Sequence, residues 1–179
     1  KMADGDESME HEETSSSDDS GSDVDVDEEN EDVTLLEARI VAAGGRDYDA
    51  YVHLLRNYRD LSQMTKLEKI REDFSAAYPL AEELWLEWLG DEARVALSED
   101  DLDKLSGLHK RSLEDYRTVP LWEAYLKHLQ GRWEREENAD RKAAREQELR
   151  AALSSALNSA GSDPAAGRRL WAIARAVDE

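Results

Sequence analysis

The sequence holds no cysteine, three prolines and one phenylalanine in 179 residues. Without cysteine there are no disulfides and no thiolate metal sites, which fits a reducing compartment, cytosol or nucleus. No apolar run approaches the roughly 20 residues needed to span a bilayer. The acidic N-terminus lacks a hydrophobic stretch, so it reads as neither a signal nor a transit peptide. β-branched residues are sparse and nowhere alternate with polar ones, so no strand is expected. Phosphate-loop, nucleophile and paired-histidine motifs are also missing. His11, His53, His109 and His128 stand apart in the sequence. These absences predict a protein that is not an enzyme, with no catalytic, metal or cofactor-binding residues.

Charge is abundant but unevenly placed. Residues 1–32 hold 15 acids and a single base, Lys1, for a net charge of -14. Residues 33–179 hold 28 acids and 22 bases, for a net charge of -6. The first stretch has only Met2, Ala3, Met9, Val24 and Val26 to bury, too little to offset the entropy of ordering it. It reads as a disordered, acidic, serine-rich tail. Three roles remain open for it: a solvating tail, a phosphorylated tail, or a contact for a basic partner. Ser15, Ser16, Ser20 and Ser22 each precede an aspartate by three residues, a spacing that suits an acidophilic kinase. Phosphate would add about -1.5 to -2 charges per site.

From residue 33 onward almost every segment has helical period and helical boundaries. Thr34 and Glu37 suggest a capping box, and Gly44-Gly45 a stop. Tyr51, Leu54, Leu55 and Tyr58 form one stripe over about 47–61. Thr65 and Glu68 suggest a second capping box, opening a helix that carries Leu67, Ile70 and Phe74. Leu84, Trp85, Trp88 and Leu89 mark another helix. Ser98 with Asp101 can cap the next one, which carries Leu105, Leu108 and Leu113. Pro120 suits a first helical turn, where its missing N–H costs nothing. A charged stretch over 132–140 contains a turn near Asn138. Residues 141–158 read as helix, and Asp163-Pro164 as cap and first turn of the last one. Short connections make neighbouring helices antiparallel.

Self-similarity decides the architecture. Leu84-Trp85-x-x-Trp88-x-x-x-Glu92 recurs as Leu121-Trp122-x-x-Tyr125-x-x-x-Leu129 and as Leu170-Trp171-x-x-Ala174-x-x-x-Asp178. A weaker copy starts at Tyr51. The anchors at 51, 85, 122 and 171 are 34, 37 and 49 residues apart. Partner helices repeat as Arg71-x-x-Phe74, Lys110-x-x-Leu113 and Arg150-x-x-Leu153, with apolar anchors 39 and 40 residues apart. A helix pair of this size cannot bury its stripe alone and must stack on the next pair. The tryptophans at 85, 88, 122 and 171 are expected as anchors between helices. Trp133 breaks the pattern and reads as an exposed contact or as packing peculiar to an insertion. Residues 132–150 hold six bases and six acids, so no net positive stripe for nucleic acid emerges.

The paired W-x-x-[WY]-x-x-x-E and R-x-x-[FL]-x-x-A helices resemble the half-a-TPR (HAT) repeat of RNA-processing proteins. The stretch Tyr78-Pro79-Leu80-Ala81-Glu82-Glu83-Leu84-Trp85-Leu86-Glu87-Trp88-Leu89-Gly90-Asp91-Glu92 is similar to the start of the repeat domain in the family of the squamous cell carcinoma antigen recognised by T cells. The resemblance covers 33–179, is closest over 66–126 and weakens beyond Trp133. Leu129 stands where the repeat acid belongs. The resemblance implies an all-α, right-handed superhelical solenoid of antiparallel helix pairs. Repeats are expected at about 47–79, 80–118 and 119–160, with a half repeat at 164–179. Repeat positions are Tyr51, Phe74, Trp85, Trp88, Glu92, Leu113, Trp122, Tyr125, Leu153 and Trp171. It further implies a nuclear scaffold for reassembly of the U4/U6 small nuclear ribonucleoprotein. The partners would be snRNP components, ubiquitin-specific proteases and histones. RNA contact would come from recognition motifs following the repeats, and dimerisation from later repeats. Within the fold class the alternatives are 3′-end cleavage, ribosomal RNA processing and histone chaperoning. Lys1 before Met2 and the stop at Glu179 suggest a fragment, whose open last helix is expected to self-associate.

Overall fold

The structure, a computed structural model, describes residues 26–178, with side chains from 33 to 177. Eight helices and no strand occur among the described residues. They are α1 (Val26–Ala42), α2 (Tyr48–Asp60), α3 (Met64–Ala77), α4 (Glu82–Val95), α5 (Glu99–Asp115), α6 (Val119–Arg135), α7 (Ala139–Ala160) and α8 (Gly167–Asp178). The expected phosphoserines and most of the expected tail lie outside the described residues. Residues 26–32, placed in the tail by composition, belong to α1.

Local signals explain most boundaries. Gly44 and Gly45 take positive φ (62° and 79°), which glycine adopts without penalty, and end α1. Gly45 N–H closes the turn onto Ile40 O at 2.8 Å. Asp47 caps α2 by accepting from Ala50 N–H at 3.0 Å. Ser98 and Asp101 form the expected reciprocal capping box on α5. Pro120 lies in the first turn of α6. Asn138 caps α7 through Arg141 N–H at 3.0 Å. Asp163 accepts from Ala165 and Ala166 N–H at 2.8 Å each, capping a turn that runs into α8.

Two expected caps do not form. Thr34 lies inside α1, because the helix is already running when it reaches residue 34. Thr65 lies inside α3, which starts one residue earlier, after Gln63. There Ser62 takes φ 54° and Gln63 N–H returns to Tyr58 O, so the chain re-enters helix before Thr65 can cap.

The helices pack in sequence order: α1 on α2, α2 on α3, α4 on α5, and so on to α7 on α8. Additional contacts join α4 to α6 and α6 to α8, the first helices of successive pairs. This is the stacking of a helical repeat solenoid. The apolar core is nearly continuous along the stack. Val33, Leu36, Ala50, Leu54, Tyr58 and Leu67 seal α1 to α3. A second cluster runs from Tyr51 and Phe74 through Trp85, Trp88, Leu121, Trp122 and Leu149 to Leu170. Each buried indole contributes a few kcal/mol by area, so the aromatic anchors dominate the stacking energy.

Candidate protein-interaction surface

Three helix pairs (α2–α3, α4–α5, α6–α7) present the same positions three times, and side-chain identity decides how each junction closes. At the first junction, Arg71 of α3 reaches Asp91 of α4 at 2.5 Å. Both are buried, with 5% and 8% of their surface exposed. Arg59 of α2 joins at 2.8 Å and Arg94 completes the shell. Burial alone would raise the Asp91 pKa, but hydrogen bonds from Arg71 and Arg59 outweigh it and hold the carboxyl below its ordinary range.

The second pair is closed by α5. Trp85 and Trp88 stack with ring centroids 5.3 Å apart. Arg111 lies over both rings and forms a two-pronged pair with Glu72 of α3, 2.9 Å on each prong. Asp115 accepts from the Trp85 indole N–H at 2.8 Å and from Leu80 N–H at 2.9 Å. One arginine and one aspartate, four residues apart on α5, therefore cover the two indoles of α4 and satisfy the Trp85 N–H, beside a groove of about 360 Å³ walled by Glu72, Trp88, Leu108 and Arg111.

The third pair is different. Trp122 and Tyr125 tilt against each other at 6.4 Å, and His109 stacks on Tyr125 at 5.4 Å. His109 and His128, read from sequence as isolated, meet at 5.1 Å. His128 Nε2 lies 2.7 Å from Ser106 Oγ. Desolvation, with the neighbouring His128, pushes His109 down to about 3. Desolvation, with Arg132, pushes His128 down to about 4. Both rings are therefore neutral at pH 7 and pack together beside Tyr125. Beneath them Glu99 binds Arg132 and Arg145 at 3.1 and 2.7 Å, tying α5, α6 and α7 together.

Open ground remains at several places, including grooves of about 360 Å³ over Trp88 and about 370 Å³ beside Ile40 and Tyr58. A groove of about 480 Å³ between α2, α3 and α4 is lined by Val52, Leu55, Arg56, Leu84 and Glu87. A groove of about 490 Å³ runs between α5 and α7 over Trp122 and Tyr125. Exposed apolar side chains, among them Val95, Leu97 and Tyr116, add contact area at the loops. Among the described residues no three His, Asp or Glu converge on a metal-sized site, and no helix is long and apolar enough to cross a membrane. Such a surface is suited to binding segments of other proteins by apolar contact, ion pairing and hydrogen bonds.

Of the repeat positions expected from sequence, Tyr51, Phe74, Trp85, Trp88, Leu113, Trp122, Tyr125 and Leu153 are buried along the stack. Trp171 is not. It is 51% exposed, its indole N–H donates to Gly161 O at 3.1 Å, and Leu170 takes the buried place. The reason is that α8 packs on α6 and α7 only, with no following helix against that face among the described residues. Glu92 accepts from the Trp88 indole N–H at 3.2 Å. The acid that ties the first junction is its neighbour Asp91, which sequence reasoning missed because its partners lie 20 and 32 residues away. Trp133 is half-buried against the core, with Lys142 of α7 5.6 Å from its ring, so it packs rather than presenting a bare contact. The basic residues that open the second-helix pattern also find acids: Arg71 with Asp91, Lys110 with Glu148 and Arg150 with Glu146.

Stacked helix pairs with aromatic anchors define a helical-repeat protein. Comparison with known proteins makes the class specific. The family model described as Suppressor of forked protein (Suf) matches residues 31–172, and the chain belongs to that family. It is 32% identical over 127 residues to the human protein named "Spliceosome associated factor 3, U4/U6 recycling protein", covering 70% of this chain and 12% of that one. The zebrafish (Danio rerio) protein of the same name is 39% identical over 70 residues, covering 39% of this chain and 7% of that one. The "mRNA 3'-end-processing protein RNA14" of Gibberella zeae is 29% identical over 100 residues, covering 56% of this chain and 10% of that one. The chain thus spans about a tenth of the length of these relatives.

Proposed function

We propose that the chain is the protein-binding, non-catalytic repeat region of a nuclear RNA-processing factor that promotes U4/U6 snRNP reassembly. The observation carrying this reading is the match to proteins named as U4/U6 recycling factors over 70% of the chain, on a fold made of stacked interaction surfaces. In it the repeats hold protein components of the particle, and RNA is contacted by other parts of the full-length protein. The stretch 1–32, with Ser15, Ser16, Ser20 and Ser22, supplies a charge-regulated arm toward basic partners such as histones. The test is depletion of the full-length protein followed by native-gel analysis of base-paired U4/U6. Base-paired U4/U6 falls on depletion, the intact gene restores it, and a version lacking residues 33–179 does not. Full rescue without those residues refutes the reading. A second reading, a scaffold for 3′-end processing, is favoured by the similarity to RNA14 proteins. It predicts lengthened, uncleaved transcripts on depletion with U4/U6 pairing unchanged.

A further inference from the structure

Stacking is not uniform along the chain. From α4 onward each first helix packs on the next, α4 on α6 and α6 on α8. Each second helix also lies along the helix that follows it, α5 on α6 and α7 on α8. No comparable packing joins α2 to α4 or α3 to α4. The groove of about 480 Å³ intervenes there, walled by Val52 and Leu55 of α2, Leu67 of α3 and Leu84 of α4. The sequence supplies the cause. Pro79 keeps the residue before it out of the helical region. Tyr78 accordingly takes φ -145°, ψ 148°, and the chain leaves α3 extended, reaching Ala81 at φ -60°, ψ 154° before α4 begins. The α5–α6 connection, Tyr116-Arg117-Thr118, is one residue shorter, and its proline already lies inside the next helix.

The two ends of this gap are held by different chemistry. At the linker, Leu80 is buried and its N–H donates to Asp115 of α5 at 2.9 Å. Tyr51 and Phe74 share one apolar cluster with Leu80 and Trp85, a contact that is non-directional and tolerates rotation. Glu87 and Asp91 lie roughly one to three turns further along α4, and there the ties are ionic. Arg59, in the last turn of α2, reaches Glu87 at 2.5 Å and Asp91 at 2.8 Å, and Arg71 reaches Asp91 at 2.5 Å. The Arg59 and Glu87 side chains are largely solvated, and pairs of that kind contribute only about 0–1 kcal/mol. Drawing Arg71 and Asp91 apart into water returns hydration to both ions, which offsets much of the attraction lost.

We propose that the α3–α4 junction is a hinge, with α1–α3 swinging as one body against α4–α8 about Leu80 and the arginine cluster on Asp91 and Glu87 as its latch. Within each body the helices pack closely, so motion concentrates at the one junction that lacks such packing. Swinging opens or shuts the groove between α2 and α4 and changes the angle between the surfaces of the two bodies. A partner that touches both bodies therefore selects one angle. Salt loosens the latch by screening its solvated pairs and leaves the apolar pivot in place.

The test measures spin-label distance distributions on the full chain, which has no native cysteine to remove. Asp49→Cys with Lys127→Cys spans the hinge. Ala38→Cys with Ala76→Cys lies within α1–α3, and Ala93→Cys with Ala143→Cys within α4–α8; all six positions are exposed. The distribution across the hinge is expected to be about twofold wider than either control. Raising salt from about 0.1 M to about 1 M, which cuts the Debye length from about 10 Å to about 3 Å, should widen it further and leave both controls unchanged. Arg59→Gln, which strips the solvated part of the latch while Arg71 stays with Asp91, should widen it at low salt. Arg71→Met/Asp91→Leu replaces the buried ions with apolar contact and should diminish the salt response. A hinge pair as narrow as the controls at every salt concentration overturns the proposal, and so does widening shared equally by the controls. A wide hinge pair that ignores both salt and Arg59→Gln overturns the latch. The parent salt series involves no substitution in the latch, so a latch variant that fails to fold leaves it standing. None of these results bears on U4/U6 pairing, so failure here is separable from failure of the proposed function.

Discussion

Replacing Asp91 by alanine removes the acceptor shared by Arg71, Arg59 and Arg94. Arg59 retains Glu87 at 2.5 Å and Arg94 is largely solvated, so neither is stranded. Arg71 is buried, and no other acid pairs with its guanidinium among the described residues. Breaking a buried pair by removing one partner costs about 3–5 kcal/mol, because the remaining charge stays in the low-dielectric interior. Asp91→Asn keeps one acceptor oxygen and is expected to cost less, about 1–3 kcal/mol. Removing both charges in Arg71→Met/Asp91→Leu is expected to return stability to within about 1 kcal/mol of the parent. Urea unfolding at pH 7 measures all three, with Asp60→Ala as an exposed control. The pH profile adds a check. The Asp91 pKa is lowered in the folded state, so its stabilisation is present above the unfolded carboxyl range and is lost as pH falls through the folded value. If Asp91→Ala costs no more than Asp60→Ala, the argument that this cluster ties the first junction is wrong.

Trp85→Phe keeps most of the apolar area but strips the donor from Asp115. A loss of about 1–2 kcal/mol is expected by urea unfolding, and no loss would mean the indole hydrogen bond contributes nothing. Ser98→Ala, which breaks the α5 capping box, should cost about 1 kcal/mol in the same assay, and an unchanged midpoint would deny the box its role. His109 and His128 are pushed down to about 3 and about 4, so the unfolded imidazoles take protons that the folded ones refuse. Their stabilisation is complete above about pH 6.5 and falls by about 2 kcal/mol each by pH 5. A flat stability profile between pH 8 and 5 would contradict the burial assigned to them. The exposed Trp171 face of α8 should drive concentration-dependent self-association of the isolated chain. Sedimentation velocity should show this, with Trp171→Glu suppressing it, whereas a clean monomer at high concentration counts against it.

Helix existence and the stacking of pairs were legible because they rest on spacing. Trp85, Trp88, Trp122 and Tyr125 recur one helical turn apart, and burying such stripes requires neighbours. Ser98 with Asp101 was readable because a capping box is complete within four residues. Thr34 and Thr65 carry the same local pattern yet lie inside helices, since the run of the preceding chain, not the cap residue, sets the start. The pairing of Asp91 with Arg71 and Arg59, and the meeting of His109 with His128, depend on how separate helices face one another. No local spacing encodes that.

The central claim is that the repeats belong to a factor acting on U4/U6, and one purification tests it most directly. The endogenous full-length protein is isolated under native conditions, and its co-purifying small nuclear RNAs and proteins are quantified. The account predicts that U6 and U4 RNAs are enriched together over other small nuclear RNAs. It also predicts that deleting residues 33–179 removes snRNP proteins from the complex. Recovery of 3′-end cleavage factors without U4 or U6 would contradict it.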